Sequence, residues 1–253
     1  LARTEREARA FEEMWKGRLA EEAGKGGSGR LGEAVRAYEG LDELFGRIGS
    51  YAGLIYAGDT SDPKRAKFYG DVQERLTDAS THLLFFTLEM NKIDDALIEA
   101  AFEADPLFGH YRPWILDIRK DRPHQLEDRV EQLFHESSIT GRGAWNRLFD
   151  ETMTSLRFDV DGEELTLEPT LNLMQDADGE KRRKAAEALA ATLKENMRLF
   201  TLVTNTLAKD KEIADRWRNF EDVADSRHLS NRVERWRYRF ARLTRAFRIA
   251  ITR

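Results

Sequence analysis

The sequence predicts a mostly α-helical fold: an elongated, multi-helix lobe interrupted by one small β-hairpin near residues 157–167. Three observations carry this. Proline is scarce, at five in 253 residues, while the chain is rich in Ala, Leu, Glu, Arg and Lys, which favour helix. Apolar residues recur at intervals of three and four through most of the chain. Strict alternation appears in one place only, around Asp161-Gly162.

Taken in order, Phe11, Trp15 and Leu19 mark a short amphipathic helix, which Gly24 to Arg30 breaks. A glycine-rich turn can cradle phosphate, but no strand precedes this one and no Gly-Lys-Ser/Thr follows, so it reads as a flexible connector. A second helix over 31–57 shows the stripe Leu31, Val35, Tyr38, Leu41, Phe45, Ile48, Ala52 and Ile55. Gly58 stops it, and the Asp62-Pro63 pair starts the next helix, with a side-chain oxygen to cap free N–H groups and proline in the first turn.

In that third helix Phe68, Val72, Leu76, Ala79, Leu83, Phe86 and Met90 predict about seven unbroken turns with a core face. Residues 94–104 form a short helix closed by Asp105-Pro106, and 107–118 another in which Pro113 bends or restarts the chain. A polar connector follows, and His124 opens a helix with Leu126, Val130, Leu133 and Phe134 on its inner, buried edge. Trp145 to Leu156 is helical. Phe158, Val160, Leu165 and Leu167 then alternate about Asp161-Gly162, where glycine relieves the positive φ of a tight turn. Residues 179–215 predict one helix spanning about 50 Å at roughly 1.5 Å per residue. Phe220 to Asn231 reads as polar turns.

Composition narrows function. The chain has no cysteine, which removes disulfides and thiol nucleophiles, favours a cytoplasmic setting, and leaves His, Asp and Glu as zinc donors. No run approaches the roughly 18 apolar residues of a membrane span, so no membrane partner is expected. Charge is uneven. Residues 232–253 hold eight Arg and one Glu, and residues 1–231 hold 33 bases against 45 acids, net −12. Arg interleaved with aromatics in the tail could bind nucleic acid or an anionic membrane surface, but the favoured reading is a non-native C-terminus, with nucleic acid unlikely as a partner. The expected division is a helical region 1–105, a hairpin-bearing domain 106–231, and the basic tail 232–253.

The nearest approach to a metal motif is His135-Glu136-Ser137-Ser138-Ile139. A zincin needs two imidazoles four residues apart on one helical face, and Ile139 stands where the second should be. The other histidines, at 82, 110, 124 and 228, have no ligand spacing. Asp94-Asp95, Asp150-Glu151 and Glu163-Glu164 read as solvated faces on so charged a chain. No catalytic or metal residue is assigned, and substrate-binding residues are left open.

The stretch YRPWILDIRKDRPHQLEDRVEQLF, with its Arg-Lys-x-x-Pro-His-x-Leu connector, resembles the oligoendopeptidase F branch of the thimet-oligopeptidase-like metallopeptidases. Tyr51 to Pro63, residues 141–167, Gly179 to Ala186 and Asn205 to Arg216 agree with that family in order, so the resemblance spans roughly residues 5–233. It implies the helical N-terminal lobe that walls a peptide channel, in an enzyme hydrolysing short peptides with Zn2+ held by an HExxH helix of the other half. The chain carries no such motif, so no specific zinc binding and no activity on its own are expected. After Glu234 the register dissolves into Arg-rich sequence, which suggests a truncation or frame shift. An exposed apolar surface and self-association follow from that reading. The competing expectation is a free-standing helical module that binds a peptide or protein.

Overall fold

A computed structural model describes residues 1–233; the expected basic tail 232–253 lies outside them from 234 onward, and with it the expectations placed on that stretch. The described chain forms fourteen α-helices and one two-stranded antiparallel sheet. In order these are α1 (Ala2–Trp15), α2 (Leu19–Gly24), α3 (Leu31–Ala57), α4 (Pro63–Thr81), α5 (Leu84–Lys92), α6 (Asp95–Ala104), α7 (Pro106–His110), α8 (Arg112–Ile118) and α9 (Asp128–Ser137). After them come α10 (Arg142–Ser155), β1 (Phe158–Val160), β2 (Glu163–Leu165), α11 (Leu167–Leu173), α12 (Gly179–Glu195), α13 (Met197–Trp217) and α14 (Asp225–Ser230). The mostly helical fold class stands.

Two compact units divide the chain. One comprises residues 9–40, 82–132 and the segment from 211; the other comprises 1–8, 41–81 and 133–210. The core of the first is aromatic. Phe11 packs on Phe85 and Phe86, and Tyr38 stacks on Phe86 at 4.5 Å and reaches Trp114 at 5.7 Å. Phe86 and Phe108 are fully buried. In the second unit Ala52, Val72 and Leu76 form a small core joined by Phe45, Ile48 and Tyr69, while Tyr56 stacks on Tyr69 at 4.9 Å.

The hairpin has the expected register, Phe158 opposite Leu165 and Val160 opposite Glu163, with positive φ at both Asp161 (58°) and Gly162 (85°). It is shorter than expected, because Leu167 leaves the sheet to begin α11, whose first turn accommodates Pro169. Phe158 is buried on a strand that packs against α12, whose buried residues are Ala185 and Leu189, within the same unit.

Two predicted long helices break. The seven-turn stripe splits at His82-Leu83, after Ser80 and Thr81 turn their hydroxyls back onto the Thr77 carbonyl at 3.0 and 3.1 Å, competing with the backbone ladder. The 179–215 helix breaks at Asn196, whose φ/ψ of −94°/8° and side-chain bond to the Thr192 carbonyl end α12; the 50 Å rod is therefore two helices. His124 ends a 3₁₀ turn over Arg119–His124 rather than opening a helix, and α9 begins at Asp128. Leu133, expected on a buried edge, is 64% exposed. Residues 225–230, expected as turns, form α14.

The glycine-rich turn is a packed joint, not a loose connector. A Cβ on Gly29 would stand 2.3 Å from the Glu22 carbonyl oxygen, and the Glu22 carboxylate receives the Arg30 N–H at 3.0 Å. Asp105 performs two tasks within its unit. One carboxylate oxygen accepts the Leu107 and Phe108 N–H groups at the start of α7, and the other accepts the Gly32 N–H at the start of α3.

Candidate functional site

The stretch 111–134 folds into a bracket rather than an exposed loop. Arg119 has a side chain only 7% exposed. Its guanidinium donates to the Met90 carbonyl, to the Ile93 carbonyl at 2.7 Å and to the Asp95 carboxylate, so it closes the C-terminal end of α5. That hydrogen bond holds the Asp95 carboxyl below its ordinary pKa.

The second half of the bracket receives the segment that returns after α13. His124 Nδ1 lies 2.8 Å from the Arg218 carbonyl oxygen, and since a carbonyl only accepts, Nδ1 carries the proton. The His124 ring stacks on Phe220 with centroids 3.8 Å apart. Arg218 makes a two-pronged pair with Glu131, both bonds 2.7 Å, and also donates to the His124 carbonyl at 3.2 Å. Glu131 is 8% exposed. Burial pushes its carboxyl up, but Arg218 and the Leu126 N–H more than offset this and hold it below the ordinary value.

Two clefts open on this bracket, both inside the same unit. The first, about 510 Å³, has an apolar wall of Leu84, Leu88, Ile118, Phe220 and Leu229. The second, about 680 Å³, is lined by charge: Lys92, Arg122, Glu127, Asp128 and Arg129. Asn91 and Gln125 line both. The Asn91 Nδ2 donates to Gln125 Oε1 at 2.9 Å, and Gln125 Nε2 donates to the Leu88 carbonyl at 3.1 Å, which fixes both amides. Asn91 is 5% exposed, and its Oδ1 has no donor among the described residues.

The histidines each have local tasks. His135 Nε2 lies 2.8 Å from Ser80 Oγ and 3.3 Å from the Thr77 carbonyl oxygen. Both contacts engage the same ring nitrogen within the one unit. His82 pairs with Glu12, and His110 stands edge-on to Tyr111 at 5.2 Å. Among the described residues no three His, Asp or Glu side chains are grouped to hold a metal. Of the carboxylate pairs, Asp94 caps α6 through the Ala96 N–H, while Asp150, Glu151, Glu163 and Glu164 are exposed. No helix among the described residues is long and apolar enough to cross a membrane.

Sequence reasoning gave no role to Asn91, Glu131 or Arg218. Asn91 does carry a signal: it is a polar residue following Met90 on an apolar face. Arg218, 87 residues from Glu131, carries none.

Comparison with known proteins agrees with this architecture. The family model described as oligopeptidase F matches residues 89–158, a region that contains the whole of the stretch 111–134. Oligopeptidase PepF of Bacillus subtilis (strain 168) is 26% identical over 213 residues, covering 78% of this chain and 30% of that protein. The crystal structure of oligoendopeptidase-F from Enterococcus faecium superposes with a TM-score of 0.78 at 21% identity, covering 91% of this chain and 46% of that one. The chain thus spans about a third of the curated relative it matches.

Proposed function

From the premise that this chain carries an oligoendopeptidase F-like N-terminal region, we propose that it is the channel-wall lobe of a zinc metalloendopeptidase acting on short peptides. On this reading the chain does not hydrolyse peptides by itself. The lobe shapes and binds, and the zinc that the family uses is held by residues this chain does not supply. The observation that carries the reading is the bracket. The family model coincides with the residues that tie α5 to the connector, Arg119 above all, and the fold likeness extends over 91% of the chain. A cytoplasmic setting belongs to the same proposal, supported by the lack of cysteine.

A quenched fluorescent peptide tests it. The chain alone, supplied with zinc, is expected to give no turnover above background. Turnover that a chelator abolishes overturns the reading. The second reading, a free-standing helical module that binds peptide or protein without cleaving it, is favoured by the two clefts at Asn91 and Gln125. The two separate on whether adding an oligoendopeptidase F-type HExxH domain in trans restores chelator-sensitive hydrolysis: recovery supports the lobe, and its failure supports the module.

A further inference from the structure

Three features of the two clefts ask for the same ligand. Arg129, at the start of α9, is exposed, lines the charged cleft, and has no carboxylate partner among the described residues. Its neighbours are otherwise engaged: Lys92 is paired with Asp128 at 2.5 Å, and Arg122 with Asp95 at 3.2 Å. At the partition between the clefts, the buried Asn91 Oδ1 has no N–H or O–H partner among the described residues, while its side-chain Nδ2 donates to Gln125. Beyond the partition the wall turns apolar, with Leu88, Ile118 and Leu229. An exposed guanidinium, an unfilled N–H acceptor and an apolar recess together match a carboxylate, an adjacent amide N–H and an apolar side chain. That is the chemistry of a peptide's carboxyl-terminal end.

We propose that the two clefts joined at Asn91 and Gln125 are one binding site for the C-terminal end of a short peptide. Arg129 pairs with the terminal carboxylate, Asn91 Oδ1 accepts the last backbone N–H, and the apolar cleft holds a neighbouring side chain. The inference takes its ligand class from the peptidase reading above, but it stands on one unit of this chain and requires no zinc and no cleavage.

The test is calorimetric titration of the full chain with N-acetyl-Ala-Leu-Leu as the free acid, as the C-terminal amide, and as the acid N-methylated at its last peptide bond. The free acid is expected to bind saturably, with the amide and the N-methylated peptide each at least tenfold weaker. Arg129→Gln, a substitution at an exposed side chain, should erase the difference between acid and amide without moving the melting temperature. The N-methylated peptide probes Asn91 without altering the protein. No saturable binding, equal affinity for acid and amide, or an undiminished acid preference in Arg129→Gln overturns the site. Any of those results leaves the lobe reading standing, because that rests on the separate hydrolysis measurement.

Discussion

Glu131 shows how much a single carboxylate does here. It is nearly buried, it meets Arg218 through two bonds of 2.7 Å, and it receives the Leu126 N–H at 2.8 Å. Replacing it with Gln removes the charge that Arg218 meets through both bonds, and we expect a loss of about 2 kcal/mol, the scale of a charged hydrogen bond, in urea denaturation. The pH dependence has a definite sign. The folded carboxyl sits below its ordinary value, so its contribution is fully present above the unfolded pKa and disappears as pH falls through the folded one. The stability gap between wild type and Glu131→Gln should therefore be largest near neutrality and narrow in acid. Glu89 has the opposite sign. Burial raises its carboxyl despite the Gly17 N–H it accepts, so its ionisation costs stability as pH rises through the carboxylate range. Glu89→Gln should consequently narrow its deficit, or become the more stable protein, toward neutral pH. Neither role was legible in the sequence. Glu131 lies on a helix with acidic residues on either side, at 127, 128 and 136, and nothing local marks the one whose partner lies 87 residues away.

At the scale of elements the sequence was far more readable, since helices announce themselves through a period of 3.6 and the hairpin through its Asp-Gly turn. The failures have a common physical origin. The stripe through 68–90 and the run through 179–215 are continuous in hydrophobicity, yet side-chain hydrogen bonds from Ser80, Thr81 and Asn196 to preceding carbonyls end the helices inside them. Periodicity reports which face is apolar, not whether the backbone ladder continues. Two substitutions test how the elements are joined. Gly32→Ala would place a methyl 2.7 Å from Leu107 Cβ and Cγ, and should cost about 1–3 kcal/mol through overpacking. Asp105→Ala removes the caps of α3 and α7 together and should cost about 2 kcal/mol, twice the usual single cap, read as a lowered melting temperature. Asp105→Asn, which keeps an acceptor oxygen, should recover part of that loss.

For the whole molecule, the fold class and the oligoendopeptidase F resemblance came from landmarks in order, while the candidate site did not, because it is assembled from an amide, an exposed guanidinium and a recess that lie apart in sequence. Apolar side chains remain on the surface, with Leu54 75% exposed, Leu133 64% and Leu202 54%. Such surface favours association. We expect the weight-average mass in sedimentation equilibrium to rise with protein concentration, and a monomer throughout would exclude self-association. Asp105 carries a last consequence. One carboxylate is shared by two helix starts, one of them through Gly32, 73 residues away, so neither start can fray without loosening the acceptor that the other uses. In amide hydrogen exchange under native conditions, Gly32, Leu107 and Phe108 should therefore be released in one opening event with a common free energy, and adding denaturant should accelerate all three with the same slope.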